Sequence, residues 1–162
     1  MRLSLGFGIA VVAACVGTAA ADDYKPPPMK DGLWETHSVQ SAAGKSSNDM
    51  TIKMCQTKEL TQSSQALSAQ LRKTNQCTST LVQQSGNTVV EESRCAKGPN
   101  AGEVTRFVYS HTGDTASHIE MHSKNGGTEN VTVMDMKYLG SCPAGMKAGD
   151  VIMPDGKVMR GG

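Results

Sequence analysis

The sequence predicts a mainly β (α+β) protein: an antiparallel sheet of about seven strands, curled or barrel-like, with one helix and two disulfides. Three observations lead to this fold class. Apolar and polar residues alternate with period two over most of the chain, only one stretch has leucines at helical spacing, and four cysteines follow an export-type N-terminus. A chain of 162 residues has the length of one domain.

Residues 1–21 are typical of an export signal peptide. Arg2 precedes an uncharged apolar run, and the alanines at 19–21 suit cleavage before Asp22. The run is shorter than the roughly 20 residues that cross a bilayer, and no later segment is longer, so we expect no transmembrane span. These features predict a periplasmic protein. The alternative is a lipoprotein anchored through Cys15, because residues 12–15 resemble a lipobox.

The charge of the chain is balanced. It has 16 basic and 15 acidic side chains, and one of the basic residues, Arg2, belongs to the signal peptide. No basic run is present, and both nucleic acid and anionic membranes are recognised through clustered Lys and Arg. We therefore expect neither partner.

The mature chain is predicted to have three parts. Residues 22–31 form a leader in which three consecutive prolines favour an extended conformation. Residues 32–142 form the disulfide-stapled antiparallel β domain, and residues 143–162 form a C-terminal tail with a short hairpin around Asp155-Gly156.

The β domain is predicted to begin with a strand at 32–39. Its single tryptophan, Trp34, is expected to anchor the core. Small and polar residues at 41–48 indicate a loop. The next strand, at 49–56, alternates, which places three apolar side chains on one face: Met50, Ile52 and Met54.

A helix is predicted after the second strand. Thr57 is a suitable N-cap, and Leu60, Leu67 and Leu71 lie along one side before the sequence becomes polar at residues 73–76.

The four mature cysteines indicate a disulfide framework. Cys77 and Cys95 are equally distant from Gly86, so an antiparallel hairpin about that turn makes them facing residues that can bridge. Cys55 and Cys142 then pair by elimination. The absence of C-x-x-C, together with the long separations between the cysteines, argues against zinc.

A second hairpin is predicted from strands at 103–111 and 115–123, with Gly113-Asp114 as a two-residue turn. Alternation places His118, Glu120 and His122 on one face. In this register the same face also carries Thr105, Phe107, Tyr109 and His111, whereas the opposite face carries Ile119 and Met121 together with Val104 and Val108.

His118, Glu120 and His122 are the candidate metal ligands. Two imidazoles and a carboxylate on one side of a strand are residue types that bind Zn, Cu or non-haem Fe. The competing interpretation, which we favour, is a solvated polar stripe. The methionines suggest Cu(I) in the same way, but alternate strand positions explain most of them as core-filling residues.

The last long strand is predicted at 130–140. It is apolar on both faces, as expected in the middle of a sheet, and it leads to Cys142.

Several short motifs resemble an exported bacterial family called domain of unknown function 3617. They are residues 29–36, with Gly-Leu-Trp-Glu at their centre, residues 54–57 before the helix, the Cys77 and Cys95 pair, the Gly113-Asp114 turn and residues 138–142. Members commonly carry a Met-Pro-rich segment after the first strand, where this chain has residues 41–48 instead. The resemblance implies an envelope location and the cysteine frame, and it implies no activity.

No recognisable motif supplies a nucleophile, a base and oxyanion donors together, so the sequence predicts a protein that is not an enzyme and needs no cofactor. The interpretation we favour is a binding module for a small apolar ligand or lipid. A periplasmic protein that binds Zn or Cu is the alternative. The sequence identifies no other partner, and an envelope protein is one candidate.

Overall fold

The computed structural model describes residues 28–98, 101–125 and 127–161. The predicted signal peptide at 1–21, the lipobox residue Cys15 and most of the leader at 22–31 lie outside these residues. Within the described part of the chain, no helix is long and apolar enough to cross a membrane.

The described residues form one antiparallel sheet and one α-helix. The spatial order of the strands is β3-β4-β5-β6-β7-β1-β2-β8-β9. The elements are β1 (Gly32–Ala42), β2 (Lys45–Gln56), α1 (Lys58–Thr74), β3 (Cys77–Ser85), β4 (Thr88–Cys95), β5 (Val104–Thr112), β6 (Ala116–Asn125), β7 (Thr128–Gly140), β8 (Val151–Ile152) and β9 (Val158–Met159).

The predicted fold class is confirmed: the protein is mainly β with one helix and two disulfides. The seven long strands are β1 to β7, and the two short strands of the C-terminal hairpin extend the same sheet to nine. The barrel-like form is wrong, because the sheet is open with β3 and β9 at its edges. A two-residue strand such as β9 offers too few backbone groups to close a ladder against the nine residues of β3.

The predicted loop at 41–48 is also wrong. β1 and β2 continue through this segment and meet at a tight turn of Ala43 and Gly44, whose φ values are 50° and 74°. Two successive residues with positive φ make a turn whose twist matches that of the flanking strands. The small and polar composition indicated a loop because such residues are common both in loops and at the solvated end of a hairpin.

The β5–β6 hairpin has a different register from the predicted one. Thr112 pairs with Ala116, so the turn contains three residues, and Gly113 takes a φ of 58°. One extra turn residue shifts the pairing by one position and moves every β5 side chain to the opposite face relative to β6. Phe107 therefore pairs with Met121, and Tyr109 pairs with Ile119.

The centre of the sheet is organised around Trp34, which is 1% exposed, as predicted for a core anchor. Its Nε1 donates to the carbonyl of Lys30 at 2.9 Å, and its ring meets the ring of Tyr138 edge-on with centroids 5.6 Å apart. Gly32 has a φ of 146°, and a Cβ there would lie 2.3 Å from the carbonyl oxygen of Gly140. The Gly-Leu-Trp sequence thus supplies both a close backbone approach and the ring that this approach positions.

Both predicted cystines are present. Cys77 and Cys95 face each other across the β3–β4 hairpin, and Cys55 at the end of β2 bridges to Cys142 after β7. The side chain of Cys55 is completely buried. The first bridge links two adjacent strands, and the second joins segments 87 residues apart in the chain.

The segment after Cys142 is fastened to the end of β2 through Asp150. The backbone of Asp150 accepts from Cys55 N at 3.0 Å, and its buried carboxylate accepts from Lys147 N, Gly161 N and Arg160 Nη1 at 2.8, 3.0 and 2.6 Å. The hydrogen bonds from the backbone of Lys147 and of Gly161 and from Arg160 lower the pKa of Asp150 from 3.8 to about 2.

This carboxylate makes folding stability depend on pH. Because the pKa in the folded protein lies below the ordinary value, the stabilisation is complete above about pH 4 and is lost as the pH falls through about 2. We expect Asp150→Asn to lower the Tm at pH 7 by about 5 °C or more, because a neutral amide replaces a buried charged acceptor. Calorimetry between pH 2 and pH 7 should show a flatter pH dependence for this variant than for the unmodified protein.

Asp155→Asn is the matched control, since Asp155 is an exposed carboxylate in the same C-terminal segment and accepts from a single backbone N–H, that of Lys157. Its Tm should stay close to that of the unmodified protein. Equal losses in the two variants would contradict the role assigned to Asp150.

Candidate functional site

One face of the sheet carries most of the apolar side chains of the described strands. Directly paired residues of antiparallel strands share a face, so the register across β2, β1, β7, β6 and β5 defines its members. We call this the methionine face. Trp34, which pairs with Met54, and Tyr138 lie at one end of it. Its nine other apolar members are Met50, Ile52, Met54, Met134, Met136, Ile119, Met121, Phe107 and Tyr109.

The methionine face is incompletely covered. Each of these nine side chains is only half-buried, although they lie on the central strands of the sheet. The fully buried apolar residues in the described chain are Trp34, Cys55, Val89 and Val90. The methionines therefore fill strand positions as predicted, but they do not form a closed core, and part of their apolar surface remains accessible.

Helix α1 crosses the methionine face. It begins after β2 and ends before β3, and these strands are separated by five others in the sheet. Asp31 Oδ1 accepts from Lys58 N at 2.8 Å at the first turn. At the last turn, Arg72 Nη2 lies 2.9 Å from Glu91 Oε1 and also donates to Ser79 Oγ. Glu91 pairs with Phe107, which places this contact on the methionine face.

The helix is positioned by its ends and buries none of its residues. Thr57 accepts from Leu60 N, which confirms the predicted N-cap. Leu67 and Leu71, on the side predicted to be apolar, are 58% and 53% exposed. An amphipathic helix that packed fully on a sheet would bury such a stripe. The methionine face and the leucine side of α1 are thus two apolar surfaces that each remain open.

The opposite face carries the candidate metal ligands. There the side chains form a connected chain of alternating acidic and imidazole groups, which we call the histidine face. Asp135 Oδ1 lies 2.7 Å from His118 Nδ1, and Glu120 lies 3.0 Å from His118 Nε2 and 3.3 Å from His122 Nε2. Glu129 follows, 3.7 Å from His122 Nδ1. Sequence reasoning missed Asp135 and Glu129, although alternation with Met134 and Met136 places Asp135 on this face.

The carboxylates change the ionisation of their neighbours. Hydrogen bonds that His118 donates to Asp135 and to Glu120 raise the pKa of His118 above 6.5, and the hydrogen bonds that Glu120 accepts from His118 and His122 lower the pKa of Glu120. The histidine face is therefore a connected set of imidazole and carboxylate groups, in which His118, Glu120 and His122 are about one-third exposed and the flanking Asp135 and Glu129 are mostly exposed.

The described residues hold no group of three or more His, Cys, Asp or Glu side chains arranged to bind a metal ion. The Nε2 atoms of His118 and His122 instead point to the two oxygens of Glu120. The predicted neighbours Phe107 and Tyr109 are on the methionine face, where their rings stack with centroids 5.8 Å apart. A shallow depression of about 380 Å³ on the histidine face is lined mostly by polar and charged side chains, including His37, His118 and Asp135.

The fold and the two faces define a class of protein: an open antiparallel sheet stapled by two cystines, with one polar face and one apolar face crossed by a helix. The family model described as protein of unknown function (DUF3617) matches residues 29–142, and the chain belongs to this family. The resemblance noted in the sequence is thereby confirmed. No curated protein and no solved structure matches the chain.

The pairing of His118 with Asp135 predicts a measurable titration. The favourable interaction is complete below the pKa of the free imidazole and is lost as the pH rises through the raised pKa of His118. A histidine NMR titration should place the pKa of His118 above 6.5, and Asp135→Asn should lower it.

Asp49→Asn removes the carboxylate that pairs with His37 on the same face at 2.9 Å, so it controls for a general loss of negative charge. It should leave the titration of His118 nearly unchanged. A His118 pKa at or below 6.5 in the unmodified protein would contradict the hydrogen-bonded pair.

Proposed function

We propose that the protein is a non-catalytic binding protein that holds an apolar molecule, such as the acyl chain of a lipid, on the methionine face beside α1. The observation that carries this proposal is the incomplete burial of the nine apolar side chains of that face. A monomeric protein that leaves a contiguous apolar surface open commonly uses that surface for binding.

We further propose that the protein works in the periplasm of a Gram-negative cell envelope. The export-type pattern of residues 1–21 supports this location, and so do the two cystines, because disulfides persist in oxidising compartments. Anchoring through Cys15 is the alternative form of the same proposal. In either form the binding face would work where lipids and envelope proteins are its available partners.

The side chains of the methionine face suit an extended apolar ligand. Methionine is unbranched and flexible, so several methionines together adapt to a chain without a fixed shape. The buried Trp34 lies at one end of the face, between Met54 and Tyr138, and the ion pair of Arg72 and Glu91 lies at its margin beside β5. The apolar positions of β5, β6 and β7 adjoin one another, and Thr36 and Ser38 of β1 lie between them and those of β2.

Burial of an alkyl chain on this face supplies enough free energy for measurable binding. Each methylene removed from water contributes about 0.8 kcal/mol, so about ten methylenes contribute about 8 kcal/mol before the cost of ordering the ligand is subtracted. A gain of that size corresponds to a dissociation constant of about 1 μM, and the ordering cost makes the actual constant larger. The protein is therefore proposed to hold its ligand reversibly, as a carrier or a sensor would.

Met134→Lys tests the proposal, because Met134 is central on the methionine face, between Ser38 and Ile119. An ammonium group in the apolar contact should raise the dissociation constant for cis-parinaric acid, a fluorescent C18 fatty acid, by about tenfold or more. The binding is measured by fluorescence titration, with displacement by unlabelled palmitate.

Val133→Lys is the matched control. It introduces the same side chain at the adjacent position of the same strand, and Val133 lies on the histidine face beside Glu120. Its dissociation constant should stay within about twofold of the unmodified value. Absence of saturable fatty-acid binding at about 100 μM protein, or equal losses in the two lysine variants, would refute the proposal.

A further inference from the structure

Strand β3 is an unprotected edge. It is the outermost strand of the sheet, pairs only with β4 among the described strands, and is nine residues long. Its outer backbone N–H and C=O groups therefore face away from the sheet. Natural proteins normally protect long edges with charged side chains, proline or a covering segment, because an open edge pairs readily with another strand.

β3 carries a bulge at Val82 but lacks protection by charge or proline. No charged residue and no proline occurs from residue 74 to residue 90, a stretch that contains all of β3 and the turn after it. The opposite edge is different: β9 has two residues, follows Pro154 and Asp155, and lies between Lys157 and Arg160. Residues 45–52 of β2, which β8 does not pair, form a further part of that edge and include Lys45 and Asp49. That side of the sheet thus carries charges, whereas β3 is long and neutral.

Exposed apolar side chains are concentrated beside this neutral edge. Leu81 and Val82 of β3 are 39% and 47% exposed. The contact of Arg72 with Ser79 places the end of α1 next to β3, and the exposed Leu67 and Leu71 belong to that half of the helix. Four of the seven large apolar residues that are exposed in the described chain therefore lie in or near β3.

We propose that β3 is a dimerisation edge, at which a second copy of this chain adds its own β3 in antiparallel orientation. A strand that pairs with itself about a two-fold axis needs no complementary sequence, and an uncharged strand meets no repulsion in doing so. The register that overlaps all nine residues of both strands places Leu81 opposite Leu81, since it is the central residue of β3. The bulge places the exposed, uncharged side chain of Val82 directly after Leu81.

Leu81→Lys tests this edge. Sedimentation equilibrium of the unmodified mature protein, free of added lipid, should show a dimer at about 100 μM chain, and Leu81→Lys should raise the dissociation constant by about tenfold or more. Leu139→Lys is the matched control, because Leu139 is 41% exposed and lies on β7, away from β3. Its dissociation constant should be unchanged within about twofold.

Variants of opposite charge at Leu81 distinguish pairing of two β3 strands from other modes of association. Leu81→Glu alone should also be monomeric, and an equimolar mixture of the Leu81→Glu and Leu81→Lys variants should form a dimer, because opposite charges then face each other across the axis. Circular dichroism and the Tm of each variant confirm that it is folded. A monomeric unmodified protein at about 100 μM, a dimer that Leu139→Lys weakens as much as Leu81→Lys does, or variants that stay monomeric when mixed would each overturn the proposal.

Discussion

The register of the four central strands, β6, β7, β1 and β2, is the constraint on which both faces of the protein depend. Side chains alternate between faces, so a slip of one residue at any of these ladders would exchange methionines for charged groups. Two features specify the register. The two faces differ strongly in polarity, and the buried Trp34 sits next to Gly32, where the backbones of β1 and β7 approach too closely for any side chain.

The helix derives its stability from different interactions than the strands do. It has no fully buried side chain, so the packing that normally supplies most of the stability of a helix contributes little here. Its stability comes from its ends: the Thr57 cap, an acidic residue in the first turn, basic residues in the last, and the contacts of Lys58 and Arg72 with the sheet. An element stabilised in this way opens at lower free energy cost than the strands beneath it. This property is suited to a segment that lies over the proposed binding surface.

The sequence predicted the structure correctly where local geometry determines which residues face each other. The equal spacing of Cys77 and Cys95 about Gly86 predicted the bridge, and alternation predicted the shared face of Met50, Ile52 and Met54. It was misleading at turns. Gly113-Asp114 suits a two-residue turn, but the turn has three residues, and this single difference moved Phe107 and Tyr109 onto the methionine face.

Two other properties depend on contacts between distant segments, which a single sequence does not contain. One is the open edge of the sheet: strand order follows from pairings such as β1 with β7, and no local pattern encodes them. The other is the pairing of His118 with Asp135, which lie on neighbouring strands of the β6–β7 ladder. Alternation assigned a face to each residue of β6, but only the ladder register showed which carboxylate each imidazole meets.

The position of β1 in the sheet has a consequence for the order of folding. β1 is the first of the described strands, yet one of its two neighbours is β7, and the pair Leu33 and Gly140 spans most of the described sequence. The β1–β2 and β3–β4 hairpins need only local contacts, whereas the centre of the sheet is completed when the last long strand arrives. Folds dominated by such distant pairings form slowly, in milliseconds to seconds. Until β7 pairs with it, the strand that carries Trp34 remains an edge, so the partly folded chain is most prone to aggregate before the β1–β7 ladder forms.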